Sequence, residues 1–115
     1  QGNSNYGTAI VGTVSGTDIS FGTAVVFESA EVNYLGATFD SNLNTVLIGY
    51  RDAGNSNYGT GIQGTVSGTS ISFGTAAVYE SSTSNYTAAT FDSNANRAVF
   101  VYRDDGKPIW TYNRR

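Results

Sequence analysis

The chain has 115 residues, enough for one ordinary domain, and its 39% hydrophobic and 13% aromatic content is sufficient for a packed core. Its net charge is −3 with Lys107 as the single lysine, so it lacks the basic surface that nucleic acid or an anionic membrane would require. Cysteine, histidine and methionine are absent, which removes disulfides, thiolate nucleophiles, imidazole bases and the usual zinc, copper and haem ligands.

No apolar run approaches the roughly 18 residues of a membrane-spanning helix, so no membrane insertion is expected. Abundant Gly, Thr, Ser and Asn favour sheets and tight turns over helices. The organising feature is a tandem repeat. Residues 2–53 align without gaps on residues 54–105, with about 35 of 52 positions identical, and residues 106–115 diverge as a tail or extra strand. The shared landmarks are GNSNYGT from Gly2 and Gly54, GTVSGT from Gly12 and Gly64, ISFGTA from Ile19 and Ile71, ATFDSN from Ala37 and Ala89, and YRD from Tyr50 and Tyr102.

In chain order, Tyr6, Thr8, Ile10, Gly12 and Val14 form one face of a first strand, closed by a tight turn at Ser15-Gly16. Ile19, Phe21, Thr23, Val25 and Phe27 give a second. Tyr34 to Asp40 gives a third, small-residue strand, and Thr45 to Tyr50 a fourth that is apolar on both faces (Val46, Leu47, Ile48). Its copy, Ala98 to Val101, is more apolar still, so the fourth strand of each repeat is expected to be covered on both sides. These runs predict an all-β chain of four-stranded antiparallel meanders.

Repeat length and strand count resemble β-propeller blades, in particular lectin-type and phage- or surface-associated propellers of near-identical blades. The resemblance implies face-packed blades around a channel, in an extracellular or virion-associated setting. Two blades leave sticky faces and open edges. The repeat is also permuted, because the first two strands lack the ATFD and YRD strands that precede them elsewhere. A homo-oligomer is therefore expected, in which half-blades of successive chains complete one another, with a trimer giving a six-bladed ring. The divergent tail, with Ile109, Trp110 and Tyr112, could instead occupy the next chain's place. A two-repeat β-sandwich and a trimeric fibre tip are alternatives.

Chemistry concentrates in the YRDxGNSNYG loop, with Tyr50, Arg51, Asp52, Asn55, Asn57 and Tyr58, and in its variant with Tyr102, Arg103, Asp104 and Trp110. Planar amides, carboxylates and tyrosine rings suit sugars, and a repeated loop gives multivalency. A glycan-binding adhesion module is one expectation, and Asn33-Tyr34 with Asn85-Tyr86 is a second candidate. A purely structural self-assembling repeat of a fibre, phage tail or surface layer is the alternative, with Arg51 and Asp52 as an ion pair and Asn55 to Asn57 as turn residues.

Asp40, Asn42 and Asn44, with Asp92, Asn94 and Asn96, alternate oxygen ligands as calcium loops do. They lack the sixth-position glycine and twelfth-position glutamate, so an Asx-stabilised hairpin turn competes. The nine carboxylates offer no distinctive acid and base pair, so no catalysis and no cofactor are expected.

Overall fold

A computed structural model describes residues 4–105; the tail with Ile109, Trp110 and Tyr112 lies outside them. The first repeat forms β1 (Tyr6–Ala9), β2 (Gly12–Ser15), β3 (Asp18–Phe21), β4 (Val25–Asp40) and β5 (Thr45–Asp52). A short 3-10 turn, Ala53–Asn55, leads into β6 (Tyr58–Ser67), β7 (Ser70–Phe73), β8 (Ala77–Asp92) and β9 (Arg97–Asp104). All the described pairings are antiparallel.

Two differences from the sequence pattern matter. The run Ile19 to Phe27 is not one strand, because Val25 and Phe27 open the 16-residue β4, and the same holds for β8. The first run is continuous only in the second repeat, as β6; in the first repeat it divides into β1 and β2, with Ile10 and Val11 outside both.

The four runs of one repeat therefore do not form a meander by themselves. The principal sheet runs β1-β4-β5-β6-β8-β9, with β7 also on β6 and β2-β3 as a separate ladder. Four consecutive strands in ladder order are the second half of β4, then β5, β6 and β7. They join the third and fourth runs of one repeat to the first and second of the next. Seven residue pairs, from Val46↔Gly64 to Asp52↔Tyr58, carry the sheet across the repeat boundary. Among the described residues the sheet closes into no ring or barrel.

β4 serves two ladders because it bends. Val25 to Glu31 pair with β1, and Val32 to Asp40 pair with β5. At the bend Tyr34 and Leu35 stand opposite the single residue Tyr50, a β-bulge with Tyr34 at φ 56°. In β8, Tyr86 and Thr87 stand opposite Tyr102 with Tyr86 at φ 56°.

The core sits at the repeat junction. Val32, Ile48, Tyr50 and Ile62 are buried, with Phe27, Val46 and Phe73 packed against them. Here the paired β8 and β9 segments lie against β4 and β5. An added Cβ on Gly36 would stand 2.9 Å from the Thr87 carbonyl oxygen, and one on Gly49 would stand 2.6 Å from the Phe100 ring. β5 is covered as its sequence requires. β9 is not, since Val99 is 45% and Val101 60% exposed.

Gly49 and Val101 occupy equivalent repeat positions, so the packing makes unequal demands on them. Gly49→Val is expected to destabilise by about 1–3 kcal/mol through overpacking against Phe100. Val101→Ala, at an exposed position, should stay within about 0.5 kcal/mol. Urea unfolding midpoints of the two variants check this; equal losses would contradict the packing described.

Candidate functional site

Strand alternation divides the YRD residues between two faces. Tyr50 and Asp52 point toward β4 and the core. Tyr50 is 0% exposed, its ring meets Phe27 edge-on at 5.3 Å, and its hydroxyl donates to Glu28 Oε1 at 2.9 Å. Its ring is therefore not available to stack on a sugar. Asp52 is buried, and its Oδ1 accepts from the Gly54 amide at 3.0 Å, capping the 3-10 turn. It holds the loop rather than pairing with Arg51. Asn55 is exposed in that turn, and Asn57 takes φ 62°, donating its amide to the Asp52 carbonyl at 2.9 Å. Tyr58 opens β6 opposite Asp52 and Thr83.

Arg51 faces the other way. Its Nη1 donates to Asn85 Oδ1 at 2.5 Å, its guanidinium lies 4.7 Å from the centre of the Tyr34 ring, and with the Asn33 side-chain amide turned over so that its oxygen faces Arg51, Nη2 donates to that oxygen at 2.9 Å. The buried Arg51 Nε has no partner among the described residues. Arg103 repeats the stacking, 4.7 Å from the Tyr86 ring. Its Nε donates to both Asp105 oxygens, at 2.9 and 2.8 Å, and its Nη2 meets Oδ2 at 2.6 Å. Asp105 Oδ2 also accepts from the Asn85 amide nitrogen. The Tyr34 and Tyr86 rings meet at 4.5 Å.

The structure thus merges the two candidates read from the sequence. Arg51 and Arg103 leave the loop and join Asn33, Tyr34, Asn85 and Tyr86 in one ridge of arginines over tyrosines at the strand bends. The sequence signal for this ridge was present in the Asn-Tyr dipeptides. What it did not reveal was the bulge that turns them toward the arginines.

The acidic residues form a second repeated arrangement. In the second repeat the Tyr102 hydroxyl donates to Glu80 at 2.8 Å, and Ser82 Oγ lies 2.9 Å from both Glu80 and Asp104. Burial pushes Glu28 above the usual glutamate range; the Tyr50 hydroxyl opposes this and the negative charge of Asp52 adds to it. Tyr50 is raised by burial and by Glu28. Tyr102 is pushed up to about 12, first by its hydrogen bond to Glu80.

Asp40 Oδ1 accepts from the amides of Asn42 and Leu43 at 2.9 and 3.0 Å. Asp92 Oδ1 accepts from Asn94 and Ala95 at 3.0 and 3.1 Å. Asn44 and Asn96 complete these turns with φ 58° and 55°. The arrangement is that of an Asx hairpin turn. Among the described residues no three acidic side chains gather closely enough to hold a metal ion. Trp110 lies outside the described residues.

A groove of about 280 Å³ opens beside the junction, walled by Leu47, Ile62, Gln63, Val78, Tyr79 and Phe100, with no carboxylate or arginine in its lining. Comparison with protein-family models, with curated proteins and with solved structures finds no match.

Folded Tyr50 and Tyr102 hold their protons to higher pH than the ordinary tyrosine value of 10.0. Their contribution to stability is complete below that pH and is lost as the pH rises through the folded values. Tyr102→Phe should flatten the stability loss between pH 10 and about 12. Urea unfolding across that range tests it; an unchanged slope would count against the Glu80 bond.

Proposed function

We propose that this chain is a non-catalytic structural repeat that assembles with copies of itself, as the building unit of a fibre, tail or surface layer. The observation that carries the reading is the seven-pair ladder between β5 and β6, which makes the packed unit straddle the repeat boundary. A chain with two repeats then holds one complete unit and two halves. The most reactive-looking side chains support the same reading. Tyr50 is in the core, Asp52 caps a turn, and both arginines brace the strand bends.

Both closed and open assemblies follow from such halves. Three chains closing head to tail give a six-unit ring of propeller type, and contacts that fail to close give a filament. The face contacts of Gly36 and Gly49 with the next repeat favour the ring, and the unbroken sheet across the boundary favours open growth. Native mass by light scattering over a dilution series is the test. A discrete trimer or concentration-dependent growth supports the proposal, and a monomer at every concentration overturns it.

One observation favours a second reading, glycan recognition on the tyrosine ridge: Tyr86 is 57% exposed beside Arg103. A tyrosine edge flanked by amides and a guanidinium suits a sugar ring. On that reading Tyr86→Ala should weaken binding of a saccharide found on a glycan array by about tenfold or more. An array without any hit removes it.

A further inference from the structure

Among the described residues, the outer surfaces of the first and second repeats are copies of surfaces that the internal junction buries. At that junction β5 lies along β6, and the core residue Ile62 is 5% exposed. Its first-repeat counterpart, Ile10, is 49% exposed. Thr87, 8% exposed where β8 crosses β4, has as its counterpart Leu35, 50% exposed. Gly49, buried beneath Phe100, has as its counterpart Val101, 60% exposed.

The direction of these substitutions is the informative part. At two positions where the repeats diverge, the exposed copy is the more apolar one: Leu35 against Thr87, and Val101 against Gly49. A chain that kept these surfaces in water would gain nothing from leucine and valine there. The strand content points the same way. Ile62 and Gln63 are ordered within β6, which has β5 along its edge. Ile10 and Val11, the same positions in the first repeat, lie between β1 and β2 and belong to neither. The run becomes one strand where a fourth-run strand flanks it.

We infer that β9 of one copy pairs antiparallel with the β1–β2 run of a second copy, in the register that β5 adopts on β6. Carried over by one repeat, Leu47↔Gln63 becomes Val99 against Val11 of the second copy, and Ile48↔Ile62 becomes Phe100 against Ile10. The pairing orders Ile10 and Val11 into a continuous strand and covers Val99 and Val101. The stacked faces cannot repeat identically. Gly36 and Gly49, which admit close approach inside the chain, are replaced at this contact by Ala88 and Val101. The two layers therefore stand further apart than in the internal junction, with Leu35 and Val101 filling the added space.

This inference rests on self-assembly and adds the edge, the register and the residues. The absence of native cysteine makes the test direct. Single-cysteine chains, one Val99→Cys and one Val11→Cys, are mixed and oxidised, since directly opposed residues in such a ladder have Cβ atoms about 4.5–5.5 Å apart. The expected result is a reducible heterodimer that dominates over Val99→Cys mixed with Thr13→Cys, shifted by two residues, or with Asp18→Cys on β3. Equal or absent cross-linking in all three mixtures overturns the register. If light scattering still finds assemblies, self-assembly stands and only this contact falls. If only monomer is found, both fall.

Two further measurements complete the test. An intrachain bond between Val99→Cys and Trp110→Cys in one doubly substituted chain, formed in preference to the heterodimer, would assign the edge to the chain's own carboxyl-terminal segment and overturn the inference. Val101→Lys places a charge on an exposed strand, and the single chain is expected to keep an unchanged circular dichroism spectrum. The substitution is expected to weaken association by about tenfold or more, and an unchanged association constant would refute the contact.

Discussion

The architecture depends on a backbone conformation that its residue type disfavours. Tyr34 and Tyr86 sit in the left-handed region at φ 56°, where a non-glycine residue costs roughly 1–2 kcal/mol. Each is held there by a guanidinium lying over its ring and by the Asn beside it. The bend lets one 16-residue strand pair with the first run of its own repeat and then, past the bulge, with the fourth. Without it β4 would continue straight past β5, and the ladder that carries the sheet into the second repeat would have no partner on that side.

From that bend the allocation of side chains follows. The bulge sets Asn33 opposite Arg51 and places Tyr50 opposite the pair Tyr34 and Leu35, where its ring is enclosed and its hydroxyl must find Glu28. Because neighbours on a strand face opposite ways, Arg51 is directed to the Tyr34 and Tyr86 ridge and Asp52 back to the turn. The residues that looked most like a binding loop are those that fix the geometry of the bend and the crossing between repeats. The same logic accounts for Gly36 and Gly49. Both lie where the second β8–β9 layer comes down on the first, and a side chain at either would hold the layers apart.

The all-β class and the hairpin turn at Gly16 were legible because each depends on local pattern. The Asx turns at Asp40 and Asp92 were legible as one of two readings, and each carboxylate accepts the two amides of such a turn. The extent of β4 was not legible. Alternation places Val25 and Phe27 correctly on one face but does not say that the chain between Phe21 and Val25 leaves the ladder. Nor does alternation anticipate a bulge at tyrosine, since glycine is the residue that ordinarily marks such a position. That one unread residue is why the loop and the Asn-Tyr dipeptides looked like separate sites.

The comparison of Ile10 with Ile62 shows where the information in this repeat resides. Both isoleucines sit in the same local sequence, GTxIxGTVSGT, yet one is in the core and the other is half exposed outside any strand. Local propensity favours a strand at Ile10, flanked by Ala9 and Val11 where Ile62 has Gly61 and Gln63, so the difference comes from the neighbouring strand, present as β5 in one case and absent among the described residues in the other. The repeat therefore encodes a junction more than a self-sufficient unit. Its hydrophobic positions reach low exposure only when the third and fourth runs of one copy meet the first and second of the next. Two tandem copies satisfy that requirement once, and the residues that would satisfy it again are Ile10 and Leu35 at one end and Val99 and Val101 at the other.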